Sequence, residues 1–155
     1  MKKQQQRRSD CPISFALETF GDTWSLLIVR DIIYFGKKTY GEFLESDEGI
    51  ATNILASRLE LLEQKGILAK QPDAADKRKE VYSLTEKGLD LIPILVEMGN
   101  WSAQHDSQTG APPEWIAQVN ADKENIIRLM RETVRRGGAV FVGADSVVNQ
   151  LAQAR

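Results

Sequence analysis

One amphipathic segment is followed directly by two short stretches of β-forming residues, and this order limits the folds open to the chain. In segment 51–66, ATNILASRLELLEQKG, apolar side chains recur at helical spacing and place Leu55, Leu59 and Leu62 on one face. The stretches ILAK and EVYSL follow, joined by the polar turn QPDAADKR, and predict a β-hairpin. Any fold for this chain must therefore place a hairpin directly after the end of this helix.

The outer face of the same helix has almost no charge over its first two turns. Lys, Arg, Asp and Glu make up 27% of the chain, yet this face carries only small or short polar side chains. A helix that enters a DNA major groove needs such side chains near its N-terminus, because long ones hold the backbone away from the bases. We therefore predict that Thr52, Asn53, Ala56 and Ser57 contact bases; the alternative is an ordinary solvated face.

The residues before this helix predict three further helices. The segment ISFALETF follows Pro12, which suits a first helical position. The segment TWSLLIVRDIIYF can be capped by Asp22 and is apolar on most faces, so we expect it to be buried. Thr39 and Glu42 form a capping box that opens YGEFLES, and the turn SDEG separates that helix from 51–66. This order predicts a helix-turn-helix, and the hairpin makes it a winged one.

The residues after the hairpin predict more helices. A long helix should begin at Thr85 and be kinked near Pro93, with Ile94, Leu95 and Met98 in an interface. The composition of DSQTGAPP is that of a linker. Apolar residues then recur through Trp115 to Val134, with an interruption near Asn120, and a short extended piece and a tail helix should end the chain.

The predicted fold class is mainly α with a small β-hairpin, a winged helix-turn-helix with extra C-terminal helices. We expect residues 1–10 to form a flexible basic arm and residues 11–105 a winged helix-turn-helix domain with dimerisation helices. Residues 106–113 should form a linker, and residues 114–155 a C-terminal helical extension that supports a dimer.

Composition argues against several classes of protein. No apolar run is long enough for a membrane span, and the polar, basic N-terminus is not a secretory signal, so we expect a cytoplasmic protein. With one cysteine and one histidine, the 155-residue chain cannot form an internal disulfide, and we expect neither a metal nor a cofactor. It lacks a glycine-rich phosphate loop and a nucleophile elbow, so we predict no catalytic residues and no enzyme.

The chain as a whole is slightly acidic, with a formal net charge of −2 and a pI near 5.5, so any contact with nucleic acid must come from local clusters of basic residues. Lys77, Arg78 and Lys79 at the hairpin tip are candidates for phosphate contacts, although charged turns are often only solvated. Further candidate cations are Lys37 and Lys38 before the short helix and Lys2, Lys3, Arg7 and Arg8 in the arm. Arg58 flanks the buried face of its helix, so it either contacts a phosphate or forms a salt bridge within the domain.

Several motifs in register give the chain a family resemblance. The order CPISFAL, GDTWSLLIVRDI, YGEFLES, GIATNILASRLELLEQKGI and YSLTEKGLDLIPIL resembles the HxlR family of bacterial winged helix-turn-helix regulators over residues 10–105. The resemblance implies a dimeric transcription factor that binds a partly palindromic operator, usually as a repressor. Family dimers are held mainly by the first helix and the helices after the wing. Family members often have Ser or Thr as the N-cap of this helix, but this chain has Ala51 there. We therefore expect Thr52 or Gly49 to act as the cap.

Cys11 is a candidate redox-sensing residue. It precedes Pro12, at a cap position where the helix dipole and nearby Arg7 and Arg8 favour a reactive thiol. In some family members a cysteine at the matching position is a redox or electrophile sensor; the alternative is a small packed side chain. Because the chain has one cysteine, sensing would require a bridge between subunits or a small-thiol adduct.

The leading functional hypothesis is a sequence-specific regulator that binds double-stranded DNA as a homodimer, with two copies of the helix 51–66 in successive major grooves. Its effector could be a thiol modification, a small ligand between the dimerisation helices, or nothing at all. The alternative is a winged-helix module that binds another protein and no DNA. Charge reversal at Lys77, Arg78 and Lys79 distinguishes the two hypotheses, because only the DNA-binding regulator should lose DNA binding.

Overall fold

The computed structural model describes residues 7–155 and confirms the predicted fold class, a mainly helical winged helix-turn-helix with extra C-terminal helices. The elements in chain order are α1 (Pro12–Phe20), α2 (Ser25–Phe35), α3 (Tyr40–Leu44), α4 (Thr52–Gln64), β1 (Leu68–Pro72), β2 (Glu80–Leu84), α5 (Glu86–Leu89), α6 (Ile92–His105), α7 (Pro113–Ala121), α8 (Lys123–Arg135) and α9 (Val147–Gln153). Among the residues described, no helix is long and apolar enough to cross a membrane.

Helix α2 runs through the core, as its sequence predicts. Ile28, Val29, Ile32 and Ile33 are all buried. The carboxylate of Asp22 accepts hydrogen bonds from the backbone N–H groups of Trp24 and Ser25, at 3.1 and 3.0 Å, so it satisfies donors at the start of the helix. The helix begins at Ser25, two residues later than predicted.

The helix-turn-helix is formed by α3 and α4. Thr39 accepts a hydrogen bond from the Glu42 N–H, which confirms it as the N-cap of α3, but the Glu42 carboxylate accepts from the Thr39 hydroxyl, where a full capping box would have it accept from the Thr39 N–H. The turn before α4 contains Gly49 in the left-handed conformation, with φ of 68°. The predicted cap of α4 was wrong: Ala51 is the N-cap, without a side-chain hydrogen bond, and Thr52 is the first helical residue.

Strands β1 and β2 form the predicted hairpin. They pair antiparallel from Leu68 opposite Leu84 to Pro72 opposite Glu80. The hairpin is anchored next to α3, since the N–H of Tyr82 donates to the carbonyl of Lys38 at 2.7 Å. This hydrogen bond holds β2 beside the start of the helix-turn-helix.

The long helix predicted from Thr85 is two helices, and the kink expected at Pro93 is a break before it. Helix α5 ends at Leu89 and α6 begins at Ile92. Pro93 lies in the first turn of α6, where its missing N–H costs no hydrogen bond, so it starts a helix rather than bending one. Leu95, expected in an interface, is instead 8% exposed and belongs to the core.

The C-terminal residues add three helices to the same hydrophobic core. The predicted apolar positions of α7 and α8 are all buried: Trp115, Val119, Ile126, Met130 and Val134. The interruption falls at Asp122, whose side chain caps α8. The tail helix α9 forms as predicted, but bends precede it instead of an extended piece. In these bends, Val140 and Phe141 donate backbone hydrogen bonds to the carbonyls of Ile33 and Tyr34 near the end of α2, at 2.9 and 3.1 Å.

Candidate nucleic-acid interface

The first two turns of α4 present an exposed, uncharged face of short side chains. Thr52, Asn53, Ala56 and Ser57 are all exposed, while Leu55, Leu59 and Leu62 on the opposite side are buried. Because Ala51 provides no capping side chain, the first N–H groups of the helix remain available to an outside acceptor. Amide, hydroxyl and methyl groups on this face match the groups that base edges present in the major groove.

The start of α4 is held by Tyr40, a residue for which the sequence predicts no role. The hydroxyl of Tyr40, on α3, donates to the carbonyl of Thr52 at 2.9 Å. Tyr40 also borders a cleft of about 520 Å³ between α3 and the hairpin, which Lys77, Arg78 and Lys79 line on the opposite side. Tyr40 therefore lies between the face of α4 and the hairpin tip, and joins them into one surface, which we call the α4–hairpin surface.

The hairpin tip is cationic, but part of its charge is already paired. Arg78 donates to both carboxylate oxygens of Asp76, at 3.0 and 3.2 Å. Hydrogen bonding to Asp76 raises the pKa of Arg78, and the same interaction lowers the pKa of Asp76. Lys77 and Lys79 are exposed, and neither joins an ion pair among residues 7–155. They are the cations at the tip that are free to meet a phosphate.

Arg58 forms an ion pair with a residue outside its own helix. Its Nε donates to Asp22 Oδ2 at 2.9 Å, so Arg58 joins α4 to the loop before α2. Burial acts to raise the pKa of Asp22, but hydrogen bonds from Ser25, Trp24 and Arg58 outweigh it and hold that pKa below its ordinary value. The salt bridge within the domain, one of the two predicted roles, is therefore formed; a phosphate contact by Arg58 stays a prediction.

The two lysines before α3 have different surroundings. Lys37 is half-buried, and its ammonium donates to Ser46 Oγ at 2.8 Å and lies 3.5 Å from Asp31 Oδ2. Lys38 is exposed, and its carbonyl anchors the hairpin. Of these two lysines, Lys38 is the better placed for a phosphate.

A charged network fixes the turn that leads into α4. Arg30 on α2 donates to Asp31 at 2.7 Å and binds Glu48 in the turn through both terminal nitrogens. Ser46, also in the turn, donates to the buried carboxylate of Asp31. Hydrogen bonding to Glu48 raises the pKa of Arg30, and the same interaction lowers the pKa of Glu48. No sequence pattern predicts the pairing of Arg30 and Glu48, since two residues 18 positions apart leave no periodic signal.

The N-terminal region exposes a thiol and several apolar side chains. Cys11 is exposed and occupies the N-cap of α1, as predicted, with its N–H donating to Ser9 Oγ at 3.2 Å. Arg7 lies over the ring of Phe15 at 5.5 Å, whereas Lys2 and Lys3 fall outside the described residues. The large apolar side chains exposed on α1 and α6 are Ile13, Phe15, Leu17, Ile94, Met98 and Trp101.

The described residues offer little to a metal ion. Across residues 7–155, no three His, Cys, Asp or Glu side chains come together in a way that could hold one. Trp101 and the single histidine, His105, contact each other at the end of α6, with ring centroids 5.0 Å apart. What the α4–hairpin surface offers chemically is hydrogen bonding, methyl contacts and positive charge.

Comparisons with known proteins agree with this arrangement. A sequence model of the HxlR-like helix-turn-helix family matches residues 19–109. The HTH-type transcriptional regulator Rv3095 of Mycobacterium tuberculosis is 35% identical over 98 residues, which are 63% of this chain and 61% of that protein. The chain thus matches about three fifths of the length of this relative.

Two solved structures have the same fold. The transcription-factor candidate PA1607 is 36% identical, with a TM-score of 0.61 over 68% of this chain and 72% of that one. The redox regulator HypR in its oxidised form is 32% identical, with a TM-score of 0.56 over 63% of this chain and 99% of that one. The matched family and its relatives are transcription regulators rather than enzymes, which confirms that prediction. Residues 110–155 lie outside the family match.

Proposed function

The chain belongs to the HxlR-like helix-turn-helix family of transcription regulators, and on that premise we propose that it binds operator DNA as a homodimer and represses transcription by occluding the operator. The observation that carries the proposal is the exposed, uncharged face of α4, next to a hairpin tip where Lys77 and Lys79 form no ion pair within residues 7–155. A face of short side chains lets the helix backbone approach base edges, and the adjacent cations meet the phosphates on either side.

The α4 face offers three kinds of contact to a base: an amide, a hydroxyl and methyl groups. The amide of Asn53 can pair with the N6 and N7 atoms of an adenine, and Ser57 can donate to or accept from several bases. The methyl groups of Ala56 and Thr52 suit the methyl group of a thymine. We propose that these four residues supply sequence specificity, and that Tyr40 keeps the start of the helix in position.

Phosphate contacts come from three places around that face. Lys77 and Lys79 lie at the hairpin tip, Lys38 lies before α3, and the uncapped N–H groups begin α4. Lys37 and Arg58 contribute indirectly, because their cationic groups hold the turn and the helix in place. Arg78 contributes less than the two lysines, because a phosphate must compete with Asp76 for it.

The exposed apolar side chains of α1 and α6 support the homodimer. Ile13 is 70% exposed, Leu17 62% and Trp101 65%, which is unusual for large apolar side chains of an isolated protein. In a two-fold dimer the two α4 helices would enter successive major grooves about 34 Å apart. Lys123, Arg131 and Arg135 on α8 form ion pairs with Glu97, Asp90 and Glu86, so we propose that residues 114–155 brace α5 and α6.

Selection of binding sites from a pool of random duplexes tests the proposal. We expect the protein to enrich one inverted repeat whose half-sites are one helical turn apart, and light scattering to give the mass of a dimer on it. The triple substitution K77E, R78E and K79E should abolish that binding while the circular dichroism spectrum is unchanged. Failure to enrich any sequence would contradict the proposal and favour a module that binds protein.

A thiol switch at Cys11 is a second mode of control, favoured by the exposure of Cys11 and the similarity to the redox regulator HypR. Two Cys11 thiols, one from each subunit, would lose two electrons and two protons to an oxidant such as diamide and form one disulfide. Diamide should then give a covalent dimer on a non-reducing gel and weaken DNA binding, and Cys11→Ser should respond in neither assay. Equal responses from both proteins would exclude this switch.

A further inference from the structure

An open groove lies between α2, α6 and the start of α7. Leu27, Arg30 and Tyr34 line it on α2, at helical spacing and on the side opposite to the buried Val29 and Ile32. The walls are mainly apolar, and the volume is about 350 Å³. A cavity of about 150 Å³ holds one benzene molecule, so this groove has room for about two large apolar side chains. It can therefore receive one face of another helix.

One wall of the groove comes from residues 110–155, the C-terminal region, which the family match does not include. Gly110, Ala111, Trp115 and Phe141 line the groove, whereas the match ends at residue 109. Phe141 packs against Trp115 and Tyr34, with ring centroids 5.5 and 5.7 Å apart, so the C-terminal region is held against α2. The groove is therefore formed jointly by the helices of the family match and by the C-terminal region.

The groove carries no unpaired charge within the described part of the chain. Arg30 is the one charged side chain that lines it there, and all three of its guanidinium nitrogens already donate hydrogen bonds. Nε and Nη2 bind Asp31 Oδ1 at 3.0 and 2.7 Å, while Nη1 and Nη2 bind the two carboxylate oxygens of Glu48. An ionised occupant would lose water without gaining a free partner, so the groove suits an uncharged, apolar surface.

Helix α1 presents apolar side chains that its own chain does not cover. Its nine residues are all described, and Thr19 alone among them is buried. Ile13 and Leu17 are four positions apart, so they lie on the same face of the helix, and both are exposed. The segment 12–17 carries no charge. A helix shorter than about 12 residues is marginal in water without packing, so α1 needs a surface on which to bury these side chains.

The α1 of the same chain does not reach the groove. Lys65 Nζ donates to the carbonyl of Glu18 at 3.1 Å, and Arg58 pairs with Asp22 shortly after α1, so two residues of α4 hold the end of α1. Helix α4 packs on the core side of α2, whereas the groove is on the opposite side. None of the α1 residues, which the structure describes in full, lines the groove. A second copy of the chain can supply the helix, and a two-fold dimer would fill both grooves at once.

We propose that α1 of a second copy docks in the groove, with Ile13 and Leu17 of one subunit packed between α2, α6 and the C-terminal region of the other. Met98 lines the groove and also shares one face of α6 with the exposed Ile94 and Trp101, so the groove continues the surface proposed for the homodimer. The inference rests on that homodimer and goes beyond it, because it gives the C-terminal region direct contacts with the partner.

Sedimentation equilibrium of the full chain measures the Kd of the dimer and tests this contact from both sides. Leu17→Glu places a charge on the docking face of α1, and Gly110→Lys places one in the C-terminal wall of the groove. A Cβ added at Gly110 meets no atom within 4 Å, and its φ is not in the left-handed region, so the fold should tolerate the substitution. We expect each substitution to raise the Kd about 100-fold, because a charge enters an apolar contact that a two-fold dimer contains twice.

Gln108→Lys is the matched control, since it adds the same charge two residues before Gly110, at an exposed position outside the groove lining. This variant should dimerise as the wild type does, and the circular dichroism spectra of all three variants should be unchanged. Equal dimer Kd values for Gly110→Lys and the wild type would overturn the proposal, because the C-terminal wall would then not contact the partner.

A one-to-one mixture of Leu17→Glu and Gly110→Lys tests whether α1 is exchanged between subunits. In a mixed dimer both substitutions fall in the same contact and the other contact is that of the wild type, whereas each variant alone has both contacts altered. We expect native mass spectrometry to detect a mixed dimer whose Kd is about tenfold below that of either variant alone. Mixed dimers no more stable than those of each variant alone would overturn the exchange.

The same measurements separate this inference from the proposed function. A wild type that stays monomeric, alone and on a selected duplex, would contradict the proposed homodimer and this contact with it. If the wild type and Gly110→Lys both dimerise while Leu17→Glu does not, the homodimer stands but α1 packs against another part of the partner. The groove would then be free for a small apolar ligand, and the proposal would be overturned.

Discussion

The outer face of α4 and the tip of the hairpin are both exposed, but one is uncharged and the other is cationic. Thr52, Asn53, Ala56 and Ser57 carry no charge, whereas the tip carries Lys77, Arg78 and Lys79. Part of that charge is already paired, because Arg78 makes a bidentate ion pair with Asp76. A count of basic residues therefore overstates the affinity that a wing can supply, and specificity can come from a face without charge.

The energetic difference between the two regions follows from what each must give up. Arg78 must give up its ion pair with Asp76 before it meets a phosphate, so its net gain from a phosphate is smaller than that of an unpaired lysine. Lys77 and Lys79 form no ion pair within the described residues and gain the full interaction with a phosphate. The face of α4 loses only solvent when it meets a base edge, and each good bidentate base contact is worth roughly 1–3 kcal/mol in discrimination.

The largest effect is expected from a charge placed in the middle of the α4 face. Ala56→Glu should lower affinity for a selected duplex about 100-fold, because a long anionic side chain would hold the helix out of the groove and repel phosphates. The protein should still fold, since Ala56 is exposed and Glu is a good helix former. Anisotropy gives the affinity, with Gln64→Glu at the exposed end of the same helix as control. Similar affinities for the two variants would show that this face does not meet DNA.

A smaller and more selective loss should follow from Asn53→Ala. Removing one bidentate interaction with adenine should cost roughly 1–3 kcal/mol on the selected site and relax the preference at a single base position. Repeating the selection with the variant measures that preference directly. A uniform loss across all sequences would instead assign Asn53 to the phosphate backbone.

Substitutions at the hairpin tip should have weaker effects that ignore sequence. Lys77→Gln with Lys79→Gln should weaken binding about tenfold on any duplex and reduce the slope of log K against log salt by about 2, one unit for each phosphate that the protein no longer neutralises. Arg78→Gln should change that slope by much less, because Asp76 already holds Arg78. A larger change for Arg78→Gln than for the lysine pair would show that the ion pair with Asp76 does not withhold Arg78 from DNA.

The smallest effect concerns Arg58, which the structure joins to the protein framework through Asp22. Asp22→Asn should lower the free energy of unfolding by about 1 kcal/mol near neutral pH, because asparagine keeps an acceptor for the start of α2 but removes the charge that pairs with Arg58 and favours the helix N-terminus. Because the folded state lowers the pKa of Asp22, its contribution is complete above the ordinary Asp pKa and is lost as pH falls through the folded value. Urea titrations of both proteins from pH 7 to about pH 3 should therefore converge at the acidic end. If the two free energies of unfolding diverged as the pH fell, ionised Asp22 would not be the stabilising form.

Local patterns made much of the fold predictable. The leucine stripe of α4, the N-cap of α3 at Thr39, and the hairpin all depend on residues close in sequence. The break before α6 was missed, since the same proline bends a helix in its middle and begins one in its first turn. Predicting which of these applies requires knowing where the helix starts, and packing decides that.

The candidate site was predictable only in part. The exposed face of α4 and the basic tip follow from helical spacing and composition, but the contacts that hold them do not. Tyr40 meets Thr52 and Arg30 meets Glu48 only once the chain is folded, and the contacts of Val140 and Phe141 with the end of α2 join residues far apart in the sequence. The short spacing of Asp76 and Arg78 makes their pairing predictable in principle, but grouping the three cations of the tip together conceals it.

One salt titration tests whether the uncharged face of α4 reads sequence while the tip supplies phosphate contacts. Affinity is measured across a range of salt concentrations for the selected duplex and for a scrambled duplex of the same composition. We predict tight binding to the first, weak binding to the second, and a steep loss with salt for both, since the phosphate contacts are shared. Equal and feeble binding to both duplexes would contradict this division of roles and would indicate that the face of α4 is turned toward a protein.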